Sequence, residues 1–272
     1  MTRIAVVGGG RIGEALIAGL LESGRATKDL VVAEPVAPRA AQLAERFKIR
    51  ATGSIADAVV GADIVVLAVK PGDVDSVLTD LSKADLESGH EQVLVSLAAG
   101  VTTAHLESRL PAGFAVVRVM PNTPMLVGQG MSAIAPGRYT DAEQLELVGE
   151  MLEAVGKVVT VAESQMDAVT AVSGSGPAYF FLVVEAMIDA GVSLGLTREV
   201  ATQLVVQTMI GSAALLDETG QNAVDLRAAV TSPGGTTAAA LRVLERHALR
   251  SAFTEALHAS KQRSAEQGAS NE

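Results

Sequence analysis

Short apolar runs alternate with helical patterns over residues 1–162, and this alternation constrains the fold more than any other feature. The runs are rich in β-branched residues. Strands that are buried on both faces have continuous apolar runs, and strands that alternate with helices form a parallel sheet covered on both sides. We therefore predict an α/β fold with strands at Ile4–Val7, Leu30–Ala33, Ile64–Val69, Val93–Leu97 and Ala115–Val119, and with edge strands at Met131–Ala135 and Val158–Val161.

Beyond residue 163 the strand-like runs stop, and long segments rich in Ala, Leu and Val follow. Their apolar residues recur at helical spacing, and Gly and Pro separate the segments. We predict a sheet domain over residues 1–162 and an all-α domain over residues 163–272, with helical segments at Ala168–Leu194, Arg198–Asp217, Val224–Ala229 and Thr236–Gln267.

The uncharged windows Ala168–Val184 and Ala201–Leu216 are shorter than the roughly 20 apolar residues of a membrane span. We predict that they are buried helices and that the protein has no membrane partner. The apolar run at the N-terminus is too short for a signal peptide. Cysteine is absent, so the chain forms no disulfides, and we expect a cytoplasmic protein.

Charge and composition argue against two other kinds of site. The net charge is −10, aromatic residues make up 3% and Trp is absent, which is the opposite of what a nucleic-acid binder needs. The four histidines, His90, His105, His247 and His258, are scattered without metal-ligand spacing. We therefore predict neither nucleic-acid binding nor a metal site.

Gly8, Gly10 and Gly13 form a Gly-x-Gly-x-x-Gly turn between the first strand and a helix. The first Gly permits the tight turn, the second lets a pyrophosphate approach the backbone, and the third lets helix and strand pack closely. The free N–H groups at the helix start attract the anion. This pattern predicts a Rossmann-type, doubly wound sheet that binds NADH or NADPH; the alternative is a glycine turn in another α/β protein.

Three further segments follow predicted strands, where ligands bind in open sheets. Glu34 could hold the ribose hydroxyls of NAD or be a solvated acid, and Arg39 could instead meet a 2′-phosphate. Lys70, in Ala68-Val69-Lys70-Pro71, could face the cofactor or solvent. The segment Met120-Pro121-Asn122-Thr123-Pro124 is a stiff polar loop at the cleft or a simple turn.

Two glycine-rich stretches interrupt the helical half. The stretch from Ser173 to Pro177 begins a helix or permits a close approach, because Gly is costly inside helices. The stretch Thr231-Ser232-Pro233-Gly234-Gly235-Thr236-Thr237 precedes a helix, whose N-terminus could bind a carboxylate or merely be a capped turn.

Together and in this order, the glycine turn, Ala68–Pro71, Met120–Pro124, the Ser-Gly-Ser-Gly-Pro stretch and Thr231–Thr237 closely resemble the pyrroline-5-carboxylate reductase family. The resemblance covers essentially the whole chain, and the Thr-Ser-Pro-Gly-Gly-Thr-Thr stretch is its most specific part. It implies NAD(P)H-dependent reduction of 1-pyrroline-5-carboxylate to L-proline, the last step of proline biosynthesis.

The resemblance also implies roles for individual residues. The carboxylate of the substrate would be held by Ser232, Gly234, Gly235, Thr236 and Thr237, and the catalytic Thr237 would reach the ring nitrogen. The cofactor would be bound by Gly8, Gly10, Arg11, Ile12, Gly13, Glu34, Ala68, Val69, Lys70, Pro71, Asn122 and Thr123. The helical domain would form a homodimer, either alone or within a decamer.

Two other interpretations compete with this one. A β-hydroxyacid dehydrogenase or another imine reductase would usually place a catalytic Lys on the first long helix after the sheet, but Ala168–Val184 contains no Lys. A non-catalytic dinucleotide sensor would bind NAD(P)H without reducing an imine.

Overall fold

The computed structural model describes residues 2–83 and 92–269. Within these ranges one sheet of eight strands runs in the order β3-β2-β1-β4-β5-β6-β7-β8. Its strands are β1 (Ile4–Val7), β2 (Leu30–Ala33), β3 (Arg50–Thr52), β4 (Ile64–Leu67), β5 (Val93–Ser96), β6 (Ala115–Met120), β7 (Gly130–Pro136) and β8 (Gly156–Thr160).

Helices on both faces of the sheet bury its apolar side chains. Successive residues of a strand point to opposite faces, so Ile4 and Val6 join one apolar cluster while Ala5 and Val7 join another. The helices of this part are α1 (Arg11–Glu22), α2 (Ala37–Phe47), α3 (Ile55–Val59), α4 (Val74–Lys83), α5 (Thr103–Ser108), α6 (Ala142–Glu153) and α7 (Met166–Val169).

The predicted Rossmann-type fold is confirmed, with three differences in the sheet. Strand β7, predicted as an edge strand, lies between β6 and β8, because β8 adds to the sheet beyond it. Strand β3 was not predicted, because it has only three residues and no apolar run. Strand β7 pairs antiparallel with β6, whereas β1 to β6 are mutually parallel and β8 is parallel to β7. The sheet is therefore mixed at one edge.

Five further helices follow: α8 (Gly176–Ser193), α9 (Arg198–Thr219), α10 (Ala223–Ala229), α11 (Thr236–Arg246) and α12 (Leu249–Ala269). Helices α8 and α9 pack against each other, with Gly191 close to Ala201. The single helix predicted over Thr236–Gln267 is two helices, because Ala248 adopts a left-handed backbone conformation with φ of 55°.

The chain divides into two compact units that differ from a simple split at residue 163. The first unit contains residues 1–175 and 260–272, and the second contains residues 176–259. Met166 and Val169 pack with Ala133 and Ala135 of β7, which places α7 in the first unit. The limits of a dimerisation domain at residues 163–272 stay a prediction.

The apolar helices α8 and α9 are largely exposed in the single chain, so their burial stays a prediction that concerns the assembled protein. Phe180, Phe181 and Leu182 are 60–65% exposed, and Ile210 of α9 is 56% exposed. The second unit has too few elements to cover them. By length and composition alone, Glu163–Ser193 and Arg198–Thr219 could each cross a membrane, a test that soluble core helices also pass.

Candidate active site

The glycine turn lies where the strand order reverses. Strand β1 has β2 on one side and β4 on the other, and parallel strands that diverge in this way leave a crevice at their carboxyl ends. Gly8 donates its N–H to the carbonyl of Ala33, and Ala68 donates to Val7, so the ends of β2 and β4 are tied to the turn. The turn therefore forms the floor of this crevice.

The three glycines differ in what surrounds them. Gly8 has φ of 106°, and a Cβ there would lie 2.7 Å from the Ala68 carbonyl oxygen. A Cβ on Gly13 would lie 2.1 Å from the Gly8 oxygen, whereas a Cβ on Gly10 would meet no atom within 4 Å. Gly8 and Gly13 are thus required by the protein backbone, and only Gly10 faces open space.

Helix α1 begins directly after Gly10, and no side chain caps it. Arg11 is exposed at its first position, while Ile12 is half-buried against the core. The N–H groups of the first turn of a helix have no partners within the helix. This end of α1 fits the pyrophosphate of a dinucleotide.

Glu34 is buried rather than solvated, at 9% exposure. Its Oε2 accepts a hydrogen bond from the Gly9 N–H and its Oε1 accepts one from the Val36 N–H, both at 2.9 Å. These two bonds hold the carboxylate at the end of β2 and beside the glycine turn. That is the position from which an acidic residue contacts a ribose in dinucleotide-binding sheets.

Arg39 is held behind the turn. Its Nε donates to the Gly9 carbonyl at 2.8 Å, and its guanidinium also contacts Gln42 and forms an ion pair with Glu14. The alternative in which Arg39 meets a 2′-phosphate would require it to leave all three partners.

A cavity of about 650 Å³ opens at the ends of β1, β2 and β4. It is lined by Gly8 and Val69 together with residues of α3, α4 and the segments before them. Of the predicted Ala68–Pro71 loop, Lys70 is exposed and the other three residues are half-buried. The loop borders the cavity from the side of β4.

Asn122 cross-links three segments of the first unit. Its Nδ2 donates to the Ser173 carbonyl at 3.1 Å, and its Oδ1 accepts from the Met131 N–H at 2.8 Å. Thr123 beside it is exposed. Nothing in the sequence pattern signals this structural role of Asn122, because its partners are 51 and 9 residues away.

The Ser-Gly-Ser-Gly-Pro stretch contains one turn of π-helix, at Thr170–Gly174. A Cβ on Gly174 would lie 2.3 Å from the terminal methyl of Met120, and Ser175 contacts Ser260 through their hydroxyls. The glycine is therefore needed for a close approach to the end of β6. Single π-turns of this kind occur often at functional sites.

A second candidate binding site lies in the helical unit. Gly234, with φ of 72°, turns the chain into α11, where Gly235 is the N-cap and no side chain caps the helix. A Cβ on Gly235 would lie 2.4 Å from the Ser232 Oγ. Ser232 and Thr236 are exposed and Thr237 is half-buried, so hydroxyls and unpaired N–H groups surround one helix N-terminus. This end of α11 fits a small carboxylate.

Among residues 2–83 and 92–269, no cluster of three or more His, Cys, Asp or Glu side chains could hold a metal ion. His90 lies outside these ranges. The fold and its glycine turn define the class of dinucleotide-binding proteins in which a Rossmann-type sheet is followed by a helical unit. Two family models match the chain in the same order: NADP oxidoreductase, coenzyme F420-dependent, over residues 3–100, and pyrroline-5-carboxylate reductase dimerisation over residues 163–267.

The chain is 55% identical to the pyrroline-5-carboxylate reductase of Mycobacterium tuberculosis, with 97% of this chain and 96% of that protein covered. The Mycobacterium leprae enzyme is 56% identical over the same shares. The solved Coxiella burnetii reductase superposes with a TM-score of 0.94 at 38% identity, and 98% of each chain is covered. The Plasmodium falciparum pyrroline carboxylate reductase, solved with NADP bound, gives 0.85 at 30% identity and the same coverage. This chain belongs to the pyrroline-5-carboxylate reductase family.

Proposed function

We propose that this protein reduces 1-pyrroline-5-carboxylate to L-proline with NADH or NADPH, the last step of proline biosynthesis. The observation that carries the proposal is the uncapped N-terminus of α11, with Ser232, Thr236 and Thr237 around it, in a chain of this family. A dinucleotide sensor has no use for a carboxylate site in the helical unit.

The sheet unit holds the cofactor. The pyrophosphate lies on the glycine turn, against Gly8, Gly10, Arg11, Ile12 and Gly13. Glu34 accepts a hydrogen bond from the adenosine ribose. The nicotinamide half is bordered by the loop Ala68, Val69, Lys70 and Pro71 and by Asn122 and Thr123. The open space at Gly10 supports this placement.

The helical unit holds the substrate. Backbone N–H groups at Gly234 and Thr236 and the hydroxyl of Ser232 bind the substrate carboxylate, while Gly235, whose own N–H donates to the Ser232 carbonyl, closes the turn beneath it. The positive end of the α11 dipole strengthens these bonds. The Thr237 hydroxyl contacts the ring nitrogen and so fixes which face of the ring is presented.

The reduced nicotinamide supplies a hydride to the carbon of the C=N bond, and the nitrogen keeps the proton with which a basic cyclic imine arrives. The protein therefore has to orient the imine and accept or donate a hydrogen bond at nitrogen rather than supply a strong acid. This is why a site built from Thr237 and backbone N–H groups suffices without His, Cys or Lys at its centre.

The active form is at least a homodimer, and light scattering distinguishes a dimer from a decamer built of dimers. The exposed apolar side chains of α8 and α9 support the proposal, because a second copy can cover them through a self-complementary two-fold interface. A soluble dimer in the cytoplasm, rather than a membrane, then accounts for the two apolar helices.

The test is oxidation of each reduced nicotinamide in the presence of 1-pyrroline-5-carboxylate, followed at the nicotinamide absorbance, with proline measured as product. We expect stoichiometric formation of proline. Binding of NADH or NADPH without any proline would contradict the proposal and favour a sensor.

A further inference from the structure

The crevice beside the glycine turn bears on which nicotinamide this chain uses. NADPH differs from NADH by one phosphate on the 2′-oxygen of the adenosine ribose. That phosphate carries a charge near −2. A site selects NADPH by placing a cation beside the 2′-oxygen of this ribose, and it selects NADH by placing a carboxylate beside the same oxygen.

The carboxylate of Glu34 is held at the end of β2, beside the glycine turn. Its two oxygens accept from the backbone N–H groups of Gly9 and Val36, so the side chain cannot swing away without breaking two hydrogen bonds, and the one from Gly9 is buried. Gly9 itself is closed in, because a Cβ there would lie 2.4 Å from the Leu43 side chain and 3.0 Å from Glu34 Oε2. The negative charge is thus a rigid part of the crevice.

Two basic residues of this region are engaged elsewhere. Arg39 donates to Gly9 and Gln42 and pairs with Glu14. Lys83 is the one basic residue among those lining the described cavity, and its Nζ lies 3.3 Å from Asp80. Asp73 also lines the cavity, so its lining residues carry two acids against one base. Pro35, directly after Glu34, offers neither charge nor an N–H donor.

We infer that this chain binds NADH in preference to NADPH, and that the buried carboxylate of Glu34 sets this preference. The inference rests on the proposed function, because it concerns the cofactor of that same site. A ribose 2′-hydroxyl can donate a hydrogen bond to Glu34, whereas a 2′-phosphate can only repel it. Close like charges of this size cost roughly tenfold or more in affinity.

The experiment measures binding without catalysis. ADP-ribose and 2′-phospho-ADP-ribose, which lack nicotinamide, are titrated into the full chain by isothermal titration calorimetry at low and high salt. We expect ADP-ribose to bind about tenfold or more tightly at low salt, and the ratio of the two dissociation constants to fall as salt screens the repulsion.

Two variants separate the charge of Glu34 from the general charge of the protein. Glu34→Gln removes the carboxylate with little change in shape and should bring the ratio towards one. Glu45→Gln removes an exposed carboxylate from the same region of α2 and should leave the ratio unchanged. Pro35→Arg is a second variant for the case in which Glu34→Gln does not fold. It adds a cation without disturbing Glu34 and should also lower the ratio.

Each outcome of these titrations either supports the inference or overturns it. Equal or tighter binding of 2′-phospho-ADP-ribose by the wild-type chain overturns the inference but leaves the reductase intact, since proline formation is assayed separately. An unchanged ratio in folded Glu34→Gln overturns the role of Glu34. Failure of both ligands to bind overturns the inference and the proposed cofactor site together.

Discussion

At the scale of single residues, the glycines of the β1–α1 turn serve different purposes. Gly10→Ala should fold, because its Cβ meets nothing, but it should weaken binding of NADH and NADPH by occupying the space of the pyrophosphate. Gly13→Ala should instead lower the free energy of unfolding, because its Cβ would collide with a backbone oxygen. Urea unfolding of the free protein and titration with NADH measure the two effects. Equal effects of both variants on stability would contradict this division.

The hydroxyl of Thr237 should matter for turnover. Loss of one hydrogen bond to a charged group is worth about 1.5–3 kcal/mol, so Thr237→Ala should lower kcat/KM by roughly 10- to 150-fold. Thr254→Ala is a control, since that hydroxyl bonds only to the carbonyl of Arg250 in its own helix. A wild-type kcat/KM in Thr237→Ala would show that the threonine does not contact the imine.

Single residues also show where sequence reasoning stops. The three glycines and Glu34 could be placed because their spacing follows a strand and a helix. The pairing of Arg39 with Glu14, and the bonds from Asn122 to Ser173 and Met131, join residues distant along the chain. Such contacts depend on the packed tertiary structure and leave no local pattern.

At the scale of elements, α4 and α5 are joined by a pair of side chains. His105 Nε2 lies 2.7 Å from the carboxylate of Asp75, and Arg109 lies 3.6 Å from it. The hydrogen bond from His105 is the largest influence and holds the pKa of Asp75 below its ordinary value against the opposing effect of burial, and the charges of Arg109 and His105 add to the lowering. The pair thus stabilises the folded state only while Asp75 is ionised.

Asp75→Asn should therefore destabilise the protein at neutral pH by a few tenths to about 1 kcal/mol, as expected of a largely exposed pair. The folded-state pKa is lowered, so this difference is present above the unfolded-state pKa, near 4. It is lost as pH falls through the folded-state pKa. Urea unfolding of wild type, Asp75→Asn and the control Glu45→Gln across this range provides the measurement. A difference that grows as pH falls would contradict the prediction.

Strands and helices with a strong hydrophobic pattern could be predicted from the sequence, whereas those with a weak hydrophobic pattern could not. Each of five buried strands of the sheet begins with an apolar run of three or four residues, whereas Arg50–Thr52 pairs only at the edge and begins with a charge. The break between α11 and α12 was not predictable, because it depends on a positive φ at Ala248, a residue that favours helix.

At the scale of the whole molecule, assembly and catalysis should be lost together. Leu182 of α8 is 65% exposed in the single chain, and Leu182→Glu would place a charge in the proposed dimer interface. We expect a monomer that does not reduce the imine. Val60→Glu changes a side chain of similar exposure, 52%, in the sheet unit and should remain an active dimer. Light scattering and activity are measured on the same samples, and a folded, active monomer would contradict the proposal.

The return of the chain to its first unit has a consequence for synthesis. Ser264, near the end of α12, donates to Asp167 at 2.7 Å, and Gly268 lies close to the Gly100 carbonyl. A ribosome adds about 5–20 residues per second, so residues 1–175 emerge several seconds before the segment that completes their unit. During that interval Asp167 lacks its partner hydroxyl. The sheet unit can thus complete its contacts with the end of α12 only after the helical unit has been synthesised.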